Sequence, residues 1–198
     1  MAWRRDKPGP ASVHAAALMT VLGLTALVTG RAFLFPSLGP SAYVLATGIG
    51  DEDSAPTRVV GGHFIGVVAG MLTYHLLADG LVATQPLDPF SMAGVRLMAS
   101  ATVAVGLTTA AMLATDLRHP PACATTLIVG LGLLTSVEEA VIIMVAIVLL
   151  MVVQRGLLAI RRATGPLTVP SDEHTPEASK SKGDRNVADE SRAGGEND

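Results

Sequence analysis

The chain has 198 residues, of which 49% are hydrophobic, 16% charged and 4% aromatic, with a formal charge of −3 and a mean hydropathy of +0.47. That composition is too apolar for a typical soluble domain. It also argues against a nucleic-acid binder, which needs basic patches.

Arg4, Arg5 and Lys7 come first, and Ala11 to Gly30 then carries no charge. A helix needs about 20 apolar residues to cross a hydrocarbon core of about 30 Å. The run is longer than the apolar part of a secretory leader, and Arg31-Ala32-Phe33-Leu34-Phe35 is a poor cleavage context. A retained first span is therefore predicted over 11–30.

Phe35-Pro36-Ser37-Leu38-Gly39-Pro40-Ser41-Ala42 interrupts the apolar pattern, because proline fixes its own φ and has no N–H to donate. A half-helix over 41–49 is expected after it, then the acids Asp51, Glu52 and Asp53, then a second span over 59–78. Gly62, Gly66 and Gly70 form two overlapping G-x-x-x-G patterns. Such patterns suit close packing, within one protomer or between subunits. His63 and His75 share this span but lie about 18 Å apart along a straight helix, too far to share a metal ion.

A polar loop over 79–96 leads to a third uncharged span over 97–115. Arg118-His119-Pro120-Pro121-Ala122-Cys123-Ala124-Thr125-Thr126 follows, a cation and a histidine placed before a double proline. The prolines set the next residues to begin a helix, with N–H groups aimed back at Arg118 and His119. A helix N-terminus beside cations favours an anion. Cys123 is the only cysteine, so an intrachain disulfide is excluded.

The stretch from Ala122 to Gln154 would make a helix of about 50 Å, too long for one span. Thr135-Ser136-Val137-Glu138-Glu139 divides it: Thr135 with Glu138, or Ser136 with Glu139, has capping-box spacing. This predicts a half-helix over 121–134 and a fourth span over 137–158, followed by Arg161 and Arg162. Residues 166–198 hold eight acids and four bases among Pro, Ser and Gly. A disordered cytoplasmic tail is expected there.

The fold class is an all-α membrane protein with four transmembrane helices and two short Pro-broken half-helices. The order of long helix, Pro break, half-helix and long helix occurs twice, suggesting an internal repeat over 10–80 and 92–160. Broken helices in matching positions point to a transporter-like site between the repeats. Positive charge flanks both ends of the apolar region, which places both termini in the cytoplasm of a multi-pass cell-membrane protein. With four crossings, the loop of Asp51 to Asp53 falls outside, the 79–96 loop inside, and Arg31 and Arg118-His119 together on the outer side. Broken backbone at membrane depth must be buried in protein or line a wet cavity. Forming a homo-oligomer is one way to supply that cover.

The candidate substrate-binding residues are Arg31, His63, Arg118 and His119, with Ser37, Gly39, Pro40, Ser41, Pro120 and Pro121 at the breaks. Their natural ligand is a small inorganic anion, since helix N-termini and cations both favour negative charge. The alternative for the arginines is anchorage by snorkelling to headgroups, with Asp116 as a partner for Arg118. Glu138 and Glu139 are explained as helix-start carboxylates. No H-x-x-x-H, C-x-x-C, H-E-x-x-H or nucleotide-binding pattern occurs, and no nucleophile is matched with a base. Neither a metal, a cofactor nor an enzymatic activity is expected.

His119-Pro120-Pro121-Ala122, the run Phe35 to Ala42, and Gly61-Gly62-His63-Phe64-Ile65-Gly66 together resemble the HPP family of integral membrane proteins. Cys123 stands where that family usually has a small residue. The resemblance covers residues 10–155 and implies a compact protein with four membrane-spanning segments. Some family members are associated with nitrite transport across chloroplast and bacterial membranes. The resemblance thus implies a small-anion transporter or channel. A membrane sensor or assembly module acting through a protein partner is the other reading.

Overall fold

A computed structural model describes residues 8–164. The tail expected from residue 166 lies outside the described residues. Six α-helices are present among the described residues: α1 (Pro8–Thr29), α2 (Leu38–Thr47), α3 (Pro56–Thr73), α4 (Met92–Thr115), α5 (Ala122–Gly130) and α6 (Val137–Thr164). A π-helical turn, Tyr74–Ala78, extends α3. Four helices are long and apolar enough to cross a membrane: Gly9–Thr29, Pro56–Ala78, Met92–Thr115 and Val137–Ala163. These are the four expected spans, with the third starting a turn earlier than the run of uncharged residues.

Helix ends follow local chemistry. Gly30, at φ +66°, ends α1 in the left-handed conformation that glycine adopts without steric cost. Pro56 opens α3 in the first turn, where its missing N–H costs nothing. Ser91 caps α4 by accepting from the Gly94 N–H. At α6 the Glu139 carboxylate accepts from the Ser136 and Thr135 N–H groups, and the Glu139 N–H donates to Ser136 Oγ at 3.2 Å. This is the capping box expected for Ser136 with Glu139.

The direction of each segment can be read from its partners. Arg161 donates to the Pro10 carbonyl, so α1 begins where α6 ends. Arg31 pairs with Glu138, so α1 ends where α6 begins. The 49–56 connection lines a cavity with Gln154, Arg155, Leu158 and Arg162, which puts the start of α3 at the end that holds both helix termini. At the other end, His75 is bonded to the Thr135 carbonyl and Arg96 to the Leu77 carbonyl. We call these the terminal end and the far end.

Two expectations are corrected by this geometry. The Asp51–Asp53 connection lies at the terminal end and the 79–91 connection at the far end, the reverse of the four-crossing layout. Arg31 and Arg118 therefore sit at opposite ends, not on one side. The reason is that the two breaks carry the chain through the bundle. The irregular stretch over 30–37, with turns at both ends, leads back into the bundle, and the ten residues of α2 add about 15 Å to bring the chain to the start of α3. The stretch over 117–136, built around α5, does the same in the second half. Each half (α1–α2–α3 and α4–α5–α6) thus passes three times, and the second half runs opposite to the first.

Two kinds of packing hold the bundle. Leu18, Leu22, Phe35, Leu38, Leu45 and Leu150 belong to a fully apolar core that ties α1, α2 and α6 together. Helix α5 instead lies in a glycine groove on α3. A Cβ at Gly62 would come 2.9 Å from His119 Cβ, at Gly66 2.8 Å from Thr126 Oγ1, and at Gly70 2.7 Å from Val129 Cβ. The G-x-x-x-G face therefore packs inside the protomer. Gly132 locks the far end: it has φ +76°, and a Cβ there would collide with the Leu81 carbonyl oxygen.

Candidate functional site

The start of α2 and the turn before α5 meet against α3. Ser41 lies in the first turn of α2, His63 in the second turn of α3, and His119 immediately ahead of the two prolines. All three are fully buried. Ser41 Oγ is 3.0 Å from His63 Nε2 and 3.3 Å from His119 Nε2. The two imidazole rings have centroids 5.2 Å apart and are tilted by 56°. His63 Nδ1 is 2.7 Å from Thr125 Oγ1 on α5, and His119 Nδ1 is 2.9 Å from the Asp53 carbonyl oxygen.

These partners orient the protons. A carbonyl only accepts, so His119 Nδ1 is the donor, and in a neutral ring Nε2 is then an acceptor facing Ser41. Ser41 has one proton to give, either to His119 or to the Ser37 carbonyl 3.2 Å away. With the first choice, His63 Nε2–H donates to Ser41 and the Thr125 hydroxyl donates to His63 Nδ1. One polarised chain then runs Thr125, His63, Ser41, His119, Asp53, with donors and acceptors assigned from the network. Ser37 Oγ is buried without a hydrogen-bond partner, the kind of group that a bound solute or water satisfies.

The sequence-predicted residues divide cleanly. Ser37, Ser41, His63 and His119 converge, with the buried Pro121 behind them. Gly39 is half-buried, and Pro40 and Pro120 are exposed on the backs of their turns. Arg31 is exposed at the far end with Glu138, and Arg118 is exposed at the terminal end, 3.2 Å from Asp116. Neither guanidinium reaches the histidines. The N–H groups of Ala122, Cys123 and Ala124 are also not free: they donate to the carbonyls of His119, Pro120 and Pro121 at 2.9–3.1 Å. The His-Pro-Pro turn thus satisfies the first amides of its own helix.

Several partners were not singled out from the sequence. Thr125 lies inside the conspicuous 118–126 run, and its place one turn into α5 marks it as facing the break. Thr126 meets Thr108 of α4 at 2.9 Å, and Ser100 Oγ donates to the Gly130 carbonyl at 2.8 Å, so α5 is tied to two helices. Arg58 bonds Glu52 and Asp116, each at 2.8 Å, and so holds the backbone turn that presents the Asp53 carbonyl. No local pattern announces Arg58; only its nearness to three acids in sequence hinted at it. No group of three or more metal-ligating side chains occurs among the described residues.

Comparison with known proteins agrees with the motifs. The family model for the HPP transmembrane region matches residues 9–164. The chain belongs to the HPP family. No curated protein and no solved structure matches it. In this HPP protein the name-giving tripeptide is the turn that delivers His119 to Ser41. The family match and the four apolar helices make it a multi-pass integral membrane protein in contact with lipid.

Proposed function

We propose that this HPP protein transports a small monovalent inorganic anion, with nitrite as the candidate the family suggests, and that a proton travels with it. The observation that carries this reading is the sharing of Ser41 Oγ between His63 and His119 where broken segments of two oppositely directed halves meet. Discontinuous helices at a repeat interface are where secondary transporters bind their cargo. Intramembrane histidines are costly and mark solute or proton routes when they face inward. The site holds neutral donors and acceptors and no fixed cation. An anion is therefore accommodated once a histidine takes a proton, which turns His119 Nε2 from acceptor to donor. Anion and proton then enter as a neutral pair, and neither arginine is needed at the site. The terminal end is cytoplasmic on this reading, because Arg58, Arg118, Arg155, Arg161 and Arg162 lie there against Arg31 and Arg96 at the far end.

The test is nitrite uptake into proteoliposomes holding the full chain, followed with an internal pH dye. Uptake is expected to carry acid inward and to rise as the external pH falls, because the anion enters with a proton on a histidine. His119→Gln and Ser41→Ala are each expected to lower it at least about tenfold, within the range of a lost proton-transfer group. Flux equal to that of protein-free liposomes would overturn the proposal and favour a sensor or assembly role.

A further inference from the structure

We propose that the terminal end carries a binding site for the headgroup of an anionic phospholipid, set between the α2–α3 connection and the last turns of α6. A cavity of about 380 Å³ opens there, within the size range of small-molecule sites. Arg155 and Arg162 both line it. They are seven residues apart on α6, two turns, and so share a face. Every other described arginine has an acceptor: Arg31 has Glu138, Arg58 has Glu52 and Asp116, Arg96 the Leu77 carbonyl, Arg118 has Asp116, and Arg161 the Pro10 carbonyl. Arg155 and Arg162 alone have none among the described residues, and they face one cavity.

The rest of the lining selects the ligand. Ile49, Met151 and Leu158 supply apolar wall, and the buried Gln154 and the half-buried Ser54 supply the polar part. A free inorganic ion has no use for the apolar wall. A phospholipid fits both parts, with its phosphate between the guanidinium groups and its acyl stem along the wall. The nearby acids do not neutralise the arginines: Glu52 and Asp53 are turned to Arg58, and the Asp51 carboxylate folds back toward Gly48. Gln154 Oε1 also takes a hydrogen bond from His14 Nε2–H, and Gln154 Nε2 donates to the Leu45 carbonyl at 3.0 Å. Because a side-chain carbonyl oxygen only accepts, His14 is the donor. The occupant would therefore rest on a clasp joining α1, α2 and α6, and α2 carries Ser41.

Native mass spectrometry of the detergent-purified full chain tests this without any use of transport. Phosphatidylglycerol, phosphatidylcholine and inorganic phosphate are added separately. Phosphatidylglycerol is expected to be retained about 30-fold better than phosphatidylcholine, from roughly fivefold per arginine near an anionic headgroup. The double substitution Arg155→Gln with Arg162→Gln should remove that preference, and Arg162→Gln alone should remove about fivefold of it. Arg161→Gln, outside the cavity, should leave it intact. Equal retention of the two lipids by the native chain, or an undiminished preference in either the single or the double variant, would overturn the proposal. Displacement of phosphatidylglycerol by millimolar phosphate would overturn it in favour of a soluble anion. Because the single substitution is read on its own, misfolding of the double variant leaves the test decisive.

Discussion

The two half-helices occupy equivalent places in the chain but are held by different physics. Helix α2 rests on leucines: Leu38 and Leu45 are fully buried against Leu18, Leu22 and Leu150. Helix α5 rests on glycines, with Gly62, Gly66 and Gly70 letting its backbone approach α3. Polar ties also differ. Thr125, Thr126 and the Gly130 carbonyl fix α5 to α3 and α4, whereas α2 has the Ser41–His63 contact and the Gln154–Leu45 bond. In a membrane, apolar side chains gain little by leaving lipid for protein, and close packing and hydrogen bonds carry helix association. The difference teaches that α5 is the fixed wall of the site and α2 the face more readily moved.

Substitutions can break this contrast. Gly66→Val should have the largest effect. Its side chain would collide with Thr126 Oγ1 and the Ala122 carbonyl oxygen, a backbone contact that cannot yield. Overpacking of this kind costs about 1–3 kcal/mol or more. Size-exclusion chromatography of a fluorescent fusion should show a lost or aggregated peak. Retention of a native peak would mean that the glycine groove is not what seats α5. Thr125→Val sharpens the contrast more gently. It keeps the volume and removes one interhelical hydrogen bond, for about 0.6–1.7 kcal/mol. A small drop in melting temperature is expected with a much larger fall in uptake, since His63 loses the partner that fixes its tautomer. Arg31→Gln and Arg118→Gln should do least. Both side chains are more than half exposed, and surface pairs contribute about 0–1 kcal/mol. Uptake should stay within about twofold of the unsubstituted chain; a tenfold loss in either would restore the arginines to the site.

Much of the bundle could be read from residue order. Uncharged runs located the four spans, Pro36 with Pro120 and Pro121 located the breaks, and Ser136 with Glu139 located the start of α6; the half-helix bounds were off, since α2 spans Leu38–Thr47 with Pro40 in its first turn, where a missing N–H costs nothing, and α5 ends at Gly130. His63, His119 and Ser41 were legible as candidates because polar groups at membrane depth need a reason to be there. The path of the chain was not legible. A hydropathy run registers helices of about 20 residues, and neither 30–47 nor 117–136 is such a helix, yet both traverse the bundle. That omission placed Arg31 and Arg118 on one side and gave the site a positive charge it lacks. The closing of the α5 amides by His119, Pro120 and Pro121 was also hidden, since it depends on how tightly the turn winds.

The odd number of passes in each half has a further implication. A segment that traverses three times hands the chain on upside down, so the sister segment begins its course from the other leaflet. Whatever tilt of one half would uncover Ser41 toward one compartment has a counterpart, made by the other half, toward the opposite compartment. On the proposed transport reading, such a molecule has two doors on one room, one hung on leucines and the other on glycines. On that reading, any preference for inward or outward traffic comes from the unequal seating of the two half-helices together with what differs between the leaflets: the loops, the charges and the lipids beside them.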